Sequence, residues 1–347
     1  MRKKKILKTV YLLFTLGVIA LIVLLNPQAY NIGHIISQMS VKWALLAVAS
    51  TILFWLSESV VLYYVTAKMA HKMGVWDTFK IVMIGLYYGA LTPLASGGQP
   101  AQVFYMKRDE DIPVGQSTSV LCIKFLLFQY AVIFCAIVAL IARGRYFLEN
   151  HAHIFGITMI GFVIAVCLMA AMALLMIRYA LLLKIGNKLI TLLKKLHIIK
   201  DVEKARNSFE RTMRDFRVSI DYAVKHIGQI AGISFMSVIQ VFINFSATYF
   251  IYRAFGLSGS NFFDIMSLST FLYLTISFIP LPGSSFAAEG AFLLFFSGVF
   301  PGGIISLALV LWRFLQYYSH FIVGGLFVLL DSSGVGKKKR DRYSQAT

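Results

Sequence analysis

Four ionisable side chains stand inside otherwise apolar stretches of this 347-residue sequence: Glu58, Lys124, Glu289 and Arg313. A charge near the centre of a bilayer costs about 2.5–3.5 kcal/mol on insertion scales, so such residues normally face the interior of a helix bundle and find partners there. Two pairings are open, Glu58 with Lys124 and Glu289 with Arg313, and the sequence alone does not decide whether either forms. Either pair could contact a polar group at that depth or could only fix the packing of two helices, and the sequence leaves both interpretations open.

Two apolar segments are interrupted by proline, glycine and small polar residues. The first, 79–106, is broken between Thr92 and Pro100, and the second, 262–300, is broken between Pro280 and Ser285. Proline removes a backbone donor and glycine weakens a helix. Because broken backbone survives at membrane depth only where it is buried in protein or lines a wet cavity, we predict two re-entrant helical hairpins.

The breaks also carry the residues that we predict to contact a ligand. A helix that begins inside the bilayer presents unpaired N–H groups and about half a unit of positive charge at its N-terminus, which suits a phosphodiester. Serine and glutamine side chains nearby can bind a polar head group without the cost of a full charge. The predicted substrate-binding residues are Pro93, Gly97, Gly98, Gln99, Gln102, Pro280, Pro282, Gly283, Ser284, Ser285, Glu289 and Arg313.

Composition indicates the kind of element that must position these residues. Hydrophobic residues make up 59% of the chain and charged residues 14%, with a mean hydropathy of +0.75. Soluble domains average about 45–50% hydrophobic and about 25% charged residues, so an ordinary soluble protein, a disordered chain and a fibrous repeat are all excluded. The three cysteines lie in apolar runs and give neither a disulfide framework nor a zinc spacing, so we expect no metal and no cofactor.

A helix needs about 20 apolar residues to cross the hydrocarbon core. We predict an all-α fold, a polytopic membrane helix bundle forming a single transmembrane domain over 1–347, with about six full spans plus the two re-entrant hairpins. The first span is interpreted as a retained anchor because no small-residue cleavage site follows it. The predicted full spans are Ile6–Leu25, Val41–Val65, Ser117–Ala142, Ile154–Ile177, Ile227–Tyr252 and Ile304–Leu330.

The net charge of +18 is explained by membrane topology. With two hairpins and a cytoplasmic N-terminus, 27 Lys and Arg residues fall inside and 3 outside, whereas a single crossing by 79–106 would give 11 and 19. The positive-inside rule favours the first arrangement, with both termini cytoplasmic. Residues 178–225 carry 12 basic and 5 acidic residues among leucine-rich turns, which predicts amphipathic helices on the inner membrane surface. A solvated linker and a tRNA-binding arm are the alternatives for this segment.

The two breaks correspond to each other along the chain. In the predicted topology the two hairpins enter from opposite faces, which would make an inverted repeat, and paired broken segments of this kind indicate a transporter binding site near the midplane. At an offset of 187 residues, Pro93-Leu94 matches Pro280-Leu281, Gly97-Gly98 matches Ser284-Ser285, and Gln102 matches Glu289.

The chain resembles the lysylphosphatidylglycerol synthase transmembrane-region family, the flippase-like portion of the multiple peptide resistance factor proteins. The first break carries the match in Thr92-Pro93 and Gly97-Gly98, and the second carries it in 280–283 (PLPG) and 288–290 (AEG). The resemblance extends from about Ile6 to Leu330. It implies an integral membrane protein that moves aminoacylated phosphatidylglycerol, or a related lipid, between leaflets. The chain ends 17 residues after Leu330, so we expect it to lack the soluble aminoacyl-transferase domain of larger members.

The resemblance also sets the functional expectations. We expect a flippase-like lipid translocase of a prokaryotic plasma membrane, linked to resistance to cationic antimicrobial peptides, with phospholipids as partners and no nucleic acid. Gln99 and Gln102 stand where the family often has an acidic residue and an arginine, which leaves the lipid open. The alternatives are a phosphatidylglycerol lysyltransferase that uses lysyl-tRNA and a non-transporting scaffold, and the oligomeric state, including a homo-oligomer, is open.

Overall fold

The structure, a computed structural model, describes residues 37–150, 152–195, 201–277, 279 and 286–332. Within these ranges the chain is helical and forms no strand. The elements, in chain order, are α1 (Val41–Met69), α2 (Val75–Ala90), α3 (Gly98–Glu110), α4 (Val114–Asn150), α5 (Ala152–Ile177), α6 (Tyr179–Lys195), α7 (Val202–Lys225), α8 (Ile227–Ala254), α9 (Phe262–Ile276), α10 (Ala287–Phe296), α11 (Gly302–Arg313), a π-helical segment (Phe314–Tyr318) and α12 (Ser319–Ser332).

Five helical runs in the described ranges are long and apolar enough to cross a membrane: α1, α4, α5, α8 and the run 302–331 formed by α11, the π segment and α12. The prediction of an all-α membrane helix bundle is therefore confirmed. The remaining predicted span, Ile6–Leu25, lies outside the described residues. The run predicted as Ile304–Leu330 is interrupted by the π segment, and α4 is 37 residues long, about 55 Å, so its ends must project beyond a hydrocarbon core of about 30 Å.

Four elements recur in order along the chain. The helices α1, α2, α3 and α4 begin at residues 41, 75, 98 and 114, while α8, α9, α10 and α11 begin at 227, 262, 287 and 302. The separations run from 186 to 189 residues, close to the offset of 187 that relates the two breaks in the sequence. The length pattern of a long helix, two short helices and a second long run thus occurs twice.

The first helices of the two sets, α1 and α8, pack against each other in opposite directions. The backbone N–H of Ser40, just before α1, donates to the carbonyl of Ala254 at the end of α8 over 2.8 Å. Trp43 stacks on Phe250 with ring centroids 6.0 Å apart. Because the start of α1 packs against the end of α8, the two helices are antiparallel.

Each short helix that precedes a break packs on the long run of the other set. Lys80 of α2 contacts Asp331 of α12 over 2.8 Å, and the hydroxyl of Tyr317 donates to the carbonyl of Ala90 over 2.9 Å. In the other half, Arg143 of α4 contacts Asp264 of α9 over 2.6 Å. Both packings tie the open end of a broken segment to a long helix through an ion pair.

Gly324 of α12 permits the close approach of α2. A Cβ atom added at Gly324 would lie 2.4 Å from the carbonyl oxygen of Met83 and 2.8 Å from the Cβ of Tyr87. Carbon and oxygen atoms do not approach so closely, so any side chain at this position must push the two helices apart.

We expect Gly324→Ala to lower the free energy of unfolding by about 1–3 kcal/mol, because overpacking a tight helix contact forces backbone shifts. Unfolding in mixed detergent micelles with increasing sodium dodecyl sulfate measures the change. The matched control is Gly228→Ala in α8, where no atom lies within 4 Å of the added Cβ. Equal stabilities for the two variants would contradict the close contact.

The amphipathic segment forms a helical hairpin with one half packed inward. In α7, Phe216, Ile220 and Ala223 are buried against the bundle, and Asp201 accepts a hydrogen bond from the backbone N–H of Lys204 over 2.9 Å, which caps the helix. In α6, by contrast, apolar side chains on one stripe stay exposed. They are Leu181, Ile185, Leu189 and Leu192.

Candidate functional site

The first break is a tight turn between two antiparallel helices, α2 and α3. The hydroxyl of Thr92 accepts a hydrogen bond from the backbone N–H of Gly97 and donates to the carbonyl of Tyr88, both over 2.8 Å. Leu94 and Ala95 at the tip have φ values of 54° and 53°, a left-handed conformation that costs residues other than glycine about 1–3 kcal/mol each. The chain therefore turns back after 16 residues of α2 instead of continuing as a span.

Gly98 and Gln102 hold the two limbs of this hairpin together. A Cβ at Gly98 would lie 2.8 Å from the carbonyl oxygen of Gly85, so only glycine lets α3 start so close to α2. The Gln102 amide is buried and donates to the carbonyl of Ile81 over 3.4 Å. Gln99, in contrast, is exposed. The structure thus gives Gln102 a place between the limbs and does not bring it together with Gln99.

The second break is described only at its two sides. The predicted turn residues Pro280, Pro282, Gly283, Ser284 and Ser285 lie outside the described residues. On the returning side, Glu289 stands in the first turn of α10, where the positive end of the helix dipole favours a carboxylate.

Glu289 and Arg313 form a buried ion pair. The Arg313 Nε donates to Glu289 Oε1 over 2.7 Å, and the two residues are only 3% and 4% exposed. The guanidinium carbon also lies 5.3 Å from the ring of Tyr317. The second carboxylate oxygen of Glu289 has no hydrogen-bond partner among the described residues. The structure therefore brings these two predicted residues together.

Glu58 and Lys124 also meet, and they meet with a third residue. The Lys124 ammonium donates to one oxygen of the Glu58 carboxylate, and the side-chain amide of Gln240 donates to the other. The three residues come from α1, α4 and α8, and Gln240 is 1% exposed. This network therefore ties three predicted spans together at a charged centre, and the sequence interpretation missed its Gln240 member.

The signal for Gln240 was present in the sequence as a polar stripe on α8. Polar residues recur there at helical spacing, so that they share one face of an otherwise apolar span. They are buried in the structure. The stripe consists of Ser237, Gln240, Asn244 and Thr248.

One end of this stripe opens on a small cavity between α8, α9 and the junction of α11 with the π segment. Its volume is about 40 Å³, room for about three water molecules. A π-helical turn inside an α-helix occurs often at functional sites, and this one contributes a glutamine to the cavity. The lining residues are Asn244, Phe245, Thr248, Ser269, Leu272, Tyr273, Ile276, Trp312 and Gln316.

The cavity lies deep within the helices. The end of α8 and the start of α11 lie at one face of the bundle, because Phe300 contacts Tyr252 with ring centroids 5.6 Å apart. From that face, Asn244 is 10 residues into α8 and Trp312 is 10 residues into α11, about 15 Å in each case. The cavity therefore lies well inside helical runs of membrane-spanning length.

The open end of the first hairpin carries a separate charged cluster. Arg108 binds Asp331 through both terminal nitrogens, over 2.8 and 2.7 Å, and Lys80 contacts Asp109 over 3.1 Å. Partial burial alone would raise the pKa of Asp109, but hydrogen bonds from Arg108 and Lys80 hold that pKa below its ordinary value. The cluster is charge-balanced, so it fixes the helix ends rather than offering a free charge.

These features together define a multi-pass α-helical membrane protein with a polar, charge-balanced centre. No group of metal-ligating side chains occurs in the described part of the chain. The chain belongs to the family described as the lysylphosphatidylglycerol synthase TM region, whose model matches residues 9–324, so the resemblance found in the sequence is confirmed. It is also similar to a UPF0104 membrane protein of Archaeoglobus fulgidus, 24% identical over 310 residues that cover 83% of this chain and 86% of the relative.

Proposed function

We propose that this protein is a flippase-like lipid translocase that moves lysylphosphatidylglycerol, or a related anionic or aminoacylated phospholipid, between leaflets. The observation that carries the proposal is the polar centre, where a cavity and two buried ion pairs lie among helices long enough to span. A polar group at that depth is costly, and such groups usually mark a substrate or ion pathway. A scaffold does not need them.

The repeated element order supports the same proposal. Transporters built from inverted repeats place their sites at the repeat interface, near the midplane, next to broken helices. Here α1 and α8 pack antiparallel, the two broken segments stand at corresponding positions, and the cavity lies beside α8. We propose that the broken segments 79–106 and 262–300 enter the membrane from opposite faces and that head groups pass between them.

Translocation in liposomes tests the proposal. The purified protein is reconstituted with fluorescent phosphatidylglycerol or lysylphosphatidylglycerol in both leaflets, and dithionite bleaches the outer leaflet. We expect the protected fluorescence to disappear about tenfold faster or more than in protein-free liposomes. Equal rates would overturn the proposal, and synthesis of lysylphosphatidylglycerol from lysyl-tRNA by the same preparation would favour the lysyltransferase alternative.

We further propose that both termini and the segment 178–225 face the cytoplasm of a plasma membrane, with α6 lying in the membrane surface. The exposed apolar stripe of α6 supports this, because the helix between Tyr179 and Lys195 carries four lysines and no acidic residue. An apolar face combined with basic side chains is typical of a helix bound to an anionic leaflet.

Replacing Lys184 and Lys188 together by glutamine should weaken the preference of the protein for anionic lipid. Each basic side chain near an anionic surface contributes about 1 kcal/mol to binding of that surface, so we expect the double variant to lose about 2 kcal/mol of binding free energy for anionic lipid. Electron paramagnetic resonance measures this preference as the fraction of spin-labelled phosphatidylglycerol at the protein boundary, relative to the same fraction for phosphatidylcholine. Lys42→Gln, at the opposite end of the bundle, is the control, and an unchanged ratio in the double variant would exclude the surface position of α6.

A further inference from the structure

We propose that the cavity between α8, α9 and the π segment binds the terminal hydroxyls of a lipid head group, those of a glycerol or a sugar, and does not bind a charged group. This inference rests on the proposed translocase function and assigns the selectivity of its central site. It is carried by the chemistry of the lining, by the amide of Asn244, which lines the cavity without a hydrogen bond to another described side chain, and by the charge balance around the cavity.

The polar groups that line the cavity are all neutral. Asn244 and Gln316 offer amides and Ser269 a hydroxyl, so the wall contains both hydrogen-bond donors and acceptors. Trp312 and Tyr273 add aromatic surface. Amides and hydroxyls match a group that donates and accepts hydrogen bonds, so the lining suits the hydroxyl end of a polyol.

The amide of Asn244 requires a partner that the described chain does not provide. Asn244 is 9% exposed and lines the cavity, yet its side chain makes no hydrogen bond to another described residue. Its backbone carbonyl already accepts a hydrogen bond from Gln316 Nε2 over 3.1 Å, which orients the glutamine beside it. Since a buried amide without a partner is costly, water or a ligand hydroxyl must fill this position.

Charge balance argues against an ammonium or a phosphate in the same place. The two carboxylates near this depth, Glu58 and Glu289, already face Lys124 and Arg313. The centre is therefore neutral before any ligand enters, and a further charge would be buried without compensation. A hydroxyl-bearing group enters at no such cost, so an aminoacyl ammonium and the phosphodiester are expected to stay outside the cavity.

Binding and transport with four head groups test the inference. Short-chain phosphatidylglycerol and monoglucosyl diacylglycerol carry hydroxyls, whereas phosphatidylethanolamine carries an ammonium and phosphatidic acid only a phosphate. We expect the first two to raise the thermal unfolding temperature in detergent and to be transported about tenfold faster than the others. A preference for one of the first two identifies glycerol or sugar as the source of the hydroxyls.

Asn244→Leu keeps the size of the side chain and removes the amide. We expect it to abolish the advantage of the hydroxyl-bearing lipids in both assays, so that their rates fall to that of phosphatidylethanolamine. Phe242→Leu, an exposed position on the same helix, is the matched control and should preserve the preference. The unfolding temperature of each variant without lipid shows whether it is folded.

The outcomes separate this inference from the proposed function. Transport without preference for hydroxyls, or an equal slowing of all four lipids by Asn244→Leu, overturns the inference and leaves the translocase standing. Selective thermal stabilisation by hydroxyl-bearing lipids with no transport of any lipid retains the cavity assignment and rejects the translocase.

Discussion

Glu289→Leu is expected to lower the free energy of unfolding by about 3–5 kcal/mol, because it removes the carboxylate that faces a buried guanidinium. The Nε of Arg313 lies 2.7 Å from Glu289 Oε1, and the side chains of Arg313 and Glu289 are 5% and 4% exposed, so water cannot replace the lost contact. Denaturation by sodium dodecyl sulfate in mixed micelles measures the loss.

The double variant Glu289→Leu with Arg313→Met serves as the control for this pair. Replacing both partners of a buried ion pair by apolar residues is often neutral or stabilising, so we expect most of the lost stability to return. A double variant as unstable as Glu289→Leu alone would show that the charge left behind is not the cause. Packing around Phe292, which contacts Trp312 with ring centroids 5.0 Å apart, would then be responsible.

Lys124→Met is expected to give the second large effect, a loss of about 3 kcal/mol in stability together with a loss of transport. Without the ammonium, the Glu58 carboxylate keeps only the Gln240 amide as a hydrogen-bond donor among the described side chains. The side chains of Lys124 and Glu58 are 10% and 14% exposed, so the isolated carboxylate is poorly hydrated. We therefore expect destabilisation near the lower end of the range for a broken buried pair.

The variant Glu58→Gln with Lys124→Gln separates packing from function. Neutral amides can hydrogen-bond to each other and to Gln240, so stability should largely recover. If the charges serve translocation, transport stays low in this variant despite its stability. Wild-type transport in the stable double variant would show that the pair only fixes helix packing, the interpretation that the sequence left open.

Apolar length and local breaks made much of the fold predictable. The spans around Glu58 and Lys124, the turn after Thr92 and the amphipathic segment 178–225 all depend on contiguous residues, whose pattern is visible in the chain. The four intramembrane charges were predictable as candidates for pairing because each is alone in an apolar run, but the pairing itself depends on which helices pack together.

The cavity could not be predicted in the same way. Asn244, Ser269 and Gln316 stand on three different elements, and each is an ordinary polar residue in its own helix. Only tertiary packing places them around one space. The π segment that turns Gln316 towards α8 contains no proline or glycine that would indicate it in the sequence. Likewise the burial of Gln102, three residues after the exposed Gln99, depends on the close approach of Gly85, which local sequence does not reveal.

The network of Glu58 with Lys124 constrains the order in which the chain can be built. The two residues are 66 positions apart. At about 5–20 residues per second of synthesis, Lys124 is made about 3–13 seconds after Glu58. During biogenesis Glu58 is therefore without this partner until α4 is made, and we expect a ribosome stalled before Lys124 to yield a nascent chain that is readily degraded.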